Sequence, residues 1–339
     1  MAISGQSQPP SPLKFFAAMN AFHLTAALKT AIELDLFTAI AEHNSTAAAI
    51  AKHVQAAERG IRILCDFLVV HEILTKSAQN YALTQDSAVF LNRKSPAYLG
   101  SAIGFLTAPD MRNGYDRLTD AVRRGGTALP GEGTVEPDNP IWVEFARDMA
   151  PLMTLPAEAI ARALGQVPAP RKVLDIAAGH GRYGITLAQR FPAAHVVALD
   201  WRNVLEVAKE NAEKAGVSNR YSTIAGSAFD ADFGSGYDVV LLTNFLHHFD
   251  VPTCTALLRK VHAALAPGGR AATVEFVPND DRVSPPPAAT FSLIMLAGTR
   301  AGDAYTFREL DQMFRAAGFQ HTDQHAADPS PFTVLISTK

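Results

Sequence analysis

The sequence predicts an α/β protein in which a doubly wound C-terminal domain follows an N-terminal helical domain. Strand-like and helix-like segments alternate from residue 169 to the end of the chain, a pattern typical of a parallel sheet covered on both faces. A glycine-rich loop with Gly179, Gly181 and Gly184 follows the first of these strands. Residues 13–93 show apolar residues at helical spacing and one short hairpin pattern. Together these features predict a Rossmann-like domain preceded by an all-α, winged-helix domain.

The composition is that of a globular chain: 48% of its 339 residues are hydrophobic and 19% are charged. A net charge of −3 gives no electrostatic case for a nucleic-acid partner. No apolar run reaches the roughly 18 residues that span a bilayer, so we expect no membrane partner. Residues 1–12 are rich in Ser, Gln and Pro, which predicts a disordered tail and no signal peptide. We therefore expect a cytoplasmic protein whose two cysteines, Cys65 and Cys254, are reduced and structural.

Residues 13–100 predict a helical, winged-helix domain. The segment 13–42 is apolar on more than one face, as in helices buried against a second subunit, so we expect a homodimer. Ser45 and Thr46 can cap a helix that precedes a strong helical pattern, and "LTKSAQNYALT" predicts a hairpin. A winged helix raises the hypothesis of a transcriptional regulator. The helix predicted over 58–74 favours a structural role over DNA binding, because its charges are mixed and not basic. They are Glu58, Arg59, Arg62, Asp66 and Glu72.

Residues 101–168 predict connecting helices that line a substrate pocket. The stretch 141–164 reads as one long helix, which would bring Trp142, Phe145 and the methionines after them into one neighbourhood. A Pro- and Gly-containing linker at 165–172 predicts the boundary of the C-terminal domain, residues 169–339.

The sequence of the C-terminal domain predicts six strands and four helices. Strands are expected in "KVLDIAA", "HVVALD", "YSTIAG", "YDVVLLTNF", "GRAATVEFV" and "PFTVLIST". Helices are expected in "YGITLAQRF", "NVLEVAKENAEKAG", "TCTALLRKVHAAL" and "TFRELDQMFRAAG". Ligands of such sheets bind beyond the carboxyl ends of the strands, where the glycine-rich loop lies.

The glycine spacing alone fits NAD as well as other adenosine ligands. Asp200 ends the second strand roughly 20 residues further on, where a carboxylate can bind ribose hydroxyls. Asp175 lies four residues before Gly179, and its charge would repel a pyrophosphate and favour a cationic ligand.

In "VLDIAAGHG", "VVALDW", "NFLHHFD", "ALAPGGR" and "TFRELDQMFRAAGF" the chain resembles the class I S-adenosylmethionine (SAM) methyltransferases. It is most similar to the two-domain small-molecule O-methyltransferases of plants and bacterial natural-product pathways. The resemblance implies SAM as cofactor. Asp175, Gly179, Gly181 and Asn244 would line its methionine part and ribose. Asp200 would hold the ribose hydroxyls beside Trp201, and Ser227, Ala228 and Phe229 would flank the adenine. The chain departs from the family pattern at Ala177, where a glycine is usual, and at Ser227, where Asp is common.

The resemblance also implies catalytic roles. His247 matches the family's general base, and Glu275 matches one of two acids that orient it. The second acid is missing near Ala304, and the neighbouring Asp303 could replace it. The missing acid makes C- or N-methylation an alternative to O-methylation. We expect His248 to be structural.

The remaining predictions concern the acceptor and competing functions. Met149, Met153, Phe291 and Met295 are expected to form the apolar walls for a small, aromatic acceptor. No metal site is indicated, because the adjacent histidines would rarely face one ligand. An NAD-dependent oxidoreductase is the other class of enzyme that the glycine loop leaves open.

Overall fold

The computed structural model describes residues 10–165 and 168–339. The chain folds as two compact units; the first ends at Ile103 and the second is Gly104–Lys339. Most of the predicted tail, and residues 166 and 167 of the predicted linker, lie outside the described residues. The second unit therefore includes most of the connecting segment predicted at 101–168, whose separate status remains a prediction.

The first unit has the predicted helices followed by a hairpin. Its elements are α1 (Leu13–Glu33), α2 (Leu36–Ala41), α3 (Ala47–His53), α4 (Glu58–Val70), β1 (Leu74–Ser77), β2 (Asn80–Leu83) and α5 (Gln85–Phe90). The side chain of Thr46 caps α3 by accepting a hydrogen bond from the backbone of Ala49 (3.2 Å). β1 and β2 pair antiparallel, with Leu74 opposite Leu83. The winged-helix arrangement is thus confirmed in its elements.

The core of the first unit forms where the apolar faces of its helices meet. Phe37, Ile50, Ile61 and Leu68 are all at most 1% exposed. The amino-terminal half of α1 contributes nothing to this core, because its large apolar side chains are exposed. These are Leu13, Phe15, Phe16, Met19 and Phe22.

The second unit begins with short helices. They are α6 (Ala102–Leu106, which starts before the boundary), α7 (Pro109–Asp116), α8 (Leu118–Arg124), α9 (Ile141–Asp148) and α10 (Thr154–Leu164). The single helix predicted over 141–164 is wrong, because a 3-10 turn at Ala150–Met153 separates α9 from α10. Pro151 lies in this turn and has no backbone N–H to continue the hydrogen bonding of α9.

The rest of the second unit is a seven-stranded sheet with flanking helices. The strands are β3 (Lys172–Ile176), β4 (His195–Asp200), β5 (Tyr221–Ala225), β6 (Tyr237–Thr243), β7 (Leu265–Glu275), β8 (His321–Ala326) and β9 (Thr333–Thr338). The helices are α11 (Arg182–Arg190), α12 (Arg202–Lys214), α13 (Val251–Ala264), α14 (Pro286–Gly298) and α15 (Phe307–Ala316).

The strand order is β5-β4-β3-β6-β7-β9-β8, and the first five strands are parallel. The predicted parallel sheet is thus found in five strands, and the last two differ, since β9 pairs antiparallel with both β7 and β8. The short connection between β8 and β9 leaves no room for a crossover helix, so the two strands run in opposite directions. The strand order reverses at β3, which places the glycine-rich loop at the switch point of the sheet.

The helices of residues 10–165 and 168–339 include no candidate membrane span, because they lack the combination of length and hydropathy needed to cross a bilayer.

Candidate active site

A cavity of about 690 Å³ opens in the second unit beyond the carboxyl ends of the parallel strands. All but three of the predicted site residues line it. Those that line it are Met149, Met153, Gly179, Asp200, Trp201, Ser227, Ala228, Phe229, Asn244, His247, Phe291 and Met295. The other three, Asp175, Gly181 and Glu275, are not part of the wall. The structure therefore brings most of the predicted site residues together around one cavity.

The loop after β3 follows a left-handed backbone at three positions. Ala177, Gly179 and Gly181 have φ values of +53°, +54° and +72°. An alanine in this region is strained by roughly 1–2 kcal/mol. A Cβ at Gly181 would lie 2.6 Å from the hydroxyl of Tyr221. Packing at the start of α11 therefore favours glycine at 181, a residue that is not part of the cavity wall.

Asp175 lies within the protein and not at the cavity surface, contrary to the prediction that it lines the ligand. It is fully buried, and its Oδ2 accepts a hydrogen bond from the backbone of Gly184 in the first turn of α11 (3.0 Å). Its Oδ1 has no partner among the described residues. Burial raises the pKa of Asp175 to about 8, although the hydrogen bond from Gly184 lowers it. Position 175 precedes the strand end, so the side chain leaves the sheet on the face that α11 covers.

Asp200, at the end of β4, joins the glycine-rich loop to the cavity. Its Oδ2 accepts a hydrogen bond from the backbone of Gly179 (2.8 Å), and its Oδ1 accepts one from the backbone of Trp201 (2.7 Å). Burial raises its pKa to about 6. Each oxygen retains a lone pair, because a carboxylate oxygen accepts more than one hydrogen bond.

The loop after β5 forms the side of the cavity where the adenine is expected. Phe229 packs edge-on against Phe249, with ring centroids 4.9 Å apart. Lys260 on α13, which sequence analysis missed, donates hydrogen bonds to the backbone carbonyls of Ala228 (3.1 Å) and Phe229 (2.9 Å). A surface lysine in a helix pattern gives no sequence signal for this role.

Asn244, directly after β6, lines the cavity and carries a buried acceptor. It has a φ of +53°, and its Nδ2 donates a hydrogen bond to the hydroxyl of Tyr183 (3.1 Å). That hydroxyl in turn contacts the sulfur of Met153 (3.3 Å). The Oδ1 of Asn244 is buried and has no partner among the described residues. A buried acceptor without a partner, on a residue that lines the cavity, calls for a donor that the described residues do not supply.

His247 and Glu275 form a buried pair beside the cavity. His247 lies in a 3-10 turn, Leu246–His248, that follows β6, and its Nδ1 is hydrogen-bonded to Oε2 of Glu275. The other oxygen of Glu275 accepts hydrogen bonds from the backbones of Phe245 (3.1 Å) and Leu246 (2.9 Å). Three donors therefore compensate the burial of one carboxylate.

Asp303 does not take the place of a second orienting acid. Its Oδ2 accepts a hydrogen bond from Arg282 (3.1 Å), and it is partly exposed. Arg282 also pairs with Glu309, so the acid belongs to a surface ion-pair group. Glu275 is the acid that contacts the ring of His247 among the described residues.

Aromatic rings form much of the remaining wall. Phe291 packs edge-on against His247 (4.8 Å) and stacks on Phe276 (4.1 Å between centroids). Trp142 lies edge-on to His248, 5.2 Å away. Phe276 was missed because it follows a strand at a position with no motif. Within the described residues, no three His, Cys, Asp or Glu side chains are grouped as a metal site would require.

Comparison with known proteins identifies the family. A model described as an O-methyltransferase domain matches residues 115–320, and one described as an O-methyltransferase dimerisation domain matches residues 16–93. A crystal structure assigned as an O-methyltransferase of Nostoc punctiforme PCC 73102 is 51% identical. Its TM-score is 0.95 over 98% of this chain and 100% of that chain.

Two further relatives extend the comparison. The 3-hydroxy-5-methyl-1-naphthoate 3-O-methyltransferase of Streptomyces sahachiroi is 29% identical over 94% of this chain and 93% of its own. Human N-acetylserotonin methyltransferase in complex with SAM shares the fold, with a TM-score of 0.85 and 21% identity over 99% of each chain. The family expected from the sequence motifs is thus confirmed: this chain belongs to the SAM-dependent O-methyltransferases that carry an N-terminal dimerisation domain.

Proposed function

We propose that this chain transfers the methyl group of SAM to a hydroxyl of a small aromatic metabolite, with His247 as the general base. The observation that carries the proposal is the buried pair of His247 and Glu275, which lies beside an aromatic cavity next to the glycine-rich loop. The same cavity is lined by all the residues to which the family resemblance assigns SAM except Asp175 and Gly181.

The polar end of the cavity fits SAM. Bound SAM supplies a methyl group already activated on a sulfonium centre. The Oδ1 of Asn244, which lacks a partner, can accept a hydrogen bond from an ammonium group, and the oxygens of Asp200 can each accept one from a ribose hydroxyl. Gly179 lets the backbone approach a ligand without a side chain between them. The residues that would flank the adenine are Ser227, Ala228 and Phe229.

Glu275 sets the protonation of the His247 ring. Two backbone N–H groups donate to Oε1 of Glu275, which leaves Oε2 to accept a hydrogen bond from Nδ1 of His247. Nε2 then carries the lone pair and can remove the proton of an acceptor hydroxyl. The carboxylate stabilises the imidazolium that forms. General-base assistance of this kind contributes about 10²–10⁴-fold to a rate.

The walls favour an aromatic acceptor. Trp142, Phe145, Phe245, Phe276 and Phe291 all line the cavity, and flat rings pack well against such surfaces. The naphthoate methyltransferase and the N-acetylserotonin methyltransferase are named for aromatic compounds, which supports the same class here.

Calorimetric titration of the protein with S-adenosylhomocysteine, with NADH as control, tests the cofactor. We expect S-adenosylhomocysteine to bind and NADH not to bind, and binding of NADH alone would contradict the proposal. His247→Ala is expected to lower kcat at least about 100-fold in methyl transfer to aromatic hydroxyl compounds. The matched control is His321→Ala, because His321 is exposed on β8. A His247→Ala enzyme of full activity that methylates carbon or nitrogen would favour those chemistries over O-methylation.

We also infer that the chain forms a homodimer through its first helix. The exposed apolar side chains at the start of α1 and the match to a dimerisation domain support this inference. Light scattering should give twice the mass of one chain. The double variant Phe16→Glu and Phe22→Glu should shift the mass toward one chain, whereas Lys14→Glu on the same helix should not. A native mass of one chain would refute the inference.

A further inference from the structure

His248 lines the cavity beside His247, although sequence analysis gave it a structural role. It is 9% exposed and ends the same 3-10 turn as His247. The centroids of the two imidazole rings lie only 4.2 Å apart. Methyl transfer as proposed uses one base, so the second imidazole in the wall has no assigned role.

The hydrogen bonding of His248 leaves one ring nitrogen free to accept. Its Nδ1 contacts the backbone carbonyl of Phe245 (3.2 Å), which can only accept, so Nδ1 carries the proton. Burial and the neighbouring His247 hold the pKa of His248 well below its usual value, so the ring is neutral. Its Nε2 therefore has a lone pair, and no residue in the described part of the chain donates to it.

The orientation of this ring is constrained on several sides. Trp142 packs edge-on against it at 5.2 Å with an interplanar angle of 81°, and the bond to Phe245 holds its Nδ1. Both His247 and His248 thus commit Nδ1 to protein and keep Nε2 as an acceptor. Because the ring centroids lie only 4.2 Å apart, one small molecule can contact both rings through donors at neighbouring positions.

Resting on the function proposed above, we propose that His248 is a specificity-determining residue. Its Nε2 accepts a hydrogen bond from a second donor group on the molecule that is methylated. This donor is a hydroxyl or amino group on the ring carbon next to the reacting hydroxyl. A methyl acceptor without this group would leave Nε2 desolvated and unpaired, which weakens its binding. The acceptor class is therefore a vicinal dihydroxy- or aminohydroxy-arene, with His247 facing the reacting hydroxyl and His248 the neighbouring group.

The test compares the affinity of three probes for the protein saturated with S-adenosylhomocysteine. Calorimetry with 2,3-dihydroxynaphthalene, 3-amino-2-naphthol and 2-naphthol should give a Kd about 10-fold lower for the first two than for the third, the effect of one hydrogen bond at a desolvated site. Equal affinity for all three probes, including a failure to bind any of them, would overturn the proposal.

Two variants separate the acceptor atom from the ring. His248→Asn can still donate to the carbonyl of Phe245 but has no atom at the position of Nε2, so the preference should fall to about 2-fold or less. His248→Gln places an amide oxygen near that position and should restore part of the preference. Retention of the full preference by His248→Asn would also overturn the proposal. His321→Asn on the exposed strand β8 is the control and should bind the probes as the wild type does.

Binding and turnover distinguish this proposal from the one on which it rests. If the probes show the expected preference but none is methylated, the role of His248 stands and the proposed transfer to hydroxyl fails. If all three are methylated with equal kcat/KM and equal Kd, the transfer stands and the role of His248 fails.

Discussion

Replacing Glu275 by Gln should abolish the basicity of His247 without unfolding the protein. Two backbone N–H groups, from Phe245 and Leu246, require an oxygen at the position of Oε1. The amide group must therefore turn its NH₂ toward Nδ1 of His247. Nδ1 then accepts a hydrogen bond and the ring proton moves to Nε2, which can no longer take a proton from the acceptor.

The expected loss in kcat is about 10²–10⁴-fold, the contribution of a general base. The free energy of unfolding should change by no more than about 2 kcal/mol, because the amide keeps all three hydrogen bonds and loses only their charge assistance. The rate of the variant should rise with pH up to about 10, where a phenolic acceptor ionises without a base.

The assay is steady-state methyl transfer across pH, together with thermal unfolding and titration with S-adenosylhomocysteine. Thr273→Val is the matched control, because Thr273 lies on the same strand, is fully buried, and its hydroxyl has no partner among the described residues. It should keep wild-type activity. A Glu275→Gln enzyme that folds normally and stays within threefold of the wild-type kcat would show that Glu275 does not control the base.

Two further predictions concern stability. Burial raises the pKa of Asp175 from 3.8 to about 8, so between these pH values the folded state binds a proton that the unfolded state has lost. The free energy of unfolding therefore falls by about 1.4 kcal/mol for each unit by which the pH rises in this range. Asp175→Asn should remove this slope in urea unfolding of the ligand-free protein; an unchanged slope would assign it to other groups. Gly181→Ala should lower the free energy of unfolding by about 1–3 kcal/mol more than Gly234→Ala. Both glycines have φ values near +72°, but only at Gly181 would a Cβ meet a neighbour, the hydroxyl of Tyr221. Equal losses in thermal unfolding would contradict the packing argument.

The regular elements of the second unit could be predicted because their signals are local. The segment "HVVALD" predicted β4 with the same bounds as in the structure. The alternation of strands and helices was enough to predict that the main strands form a parallel sheet covered by helices. β8 was missed because "HTDQHA" is almost entirely polar at an edge of the sheet, so it lacks the apolar pattern of a buried strand. The helix break at Ala150–Met153 was missed because helical spacing continues across Pro151.

The residues of the candidate site could be predicted where a sequence motif places them at or just after the carboxyl end of a strand. His247, Asn244 and Asp200 follow strands whose carboxyl ends meet at one edge of the sheet, so their convergence follows from the topology. Asp175 was misplaced because one residue along a strand moves a side chain to the other face, and motif spacing does not say what covers that face.

Short-range patterns and fixed spacing along the chain were enough to predict the family resemblance, most of the helices and strands and the residue types at the strand ends. The tertiary structure alone decided which acid contacts His247, that Asp303 pairs with Arg282 instead, and that His248 faces the cavity. These outcomes depend on contacts between segments about 20 to 100 residues apart, such as Trp142 against His248. Such contacts are set by how the helices pack on the sheet, which no local pattern in the chain records.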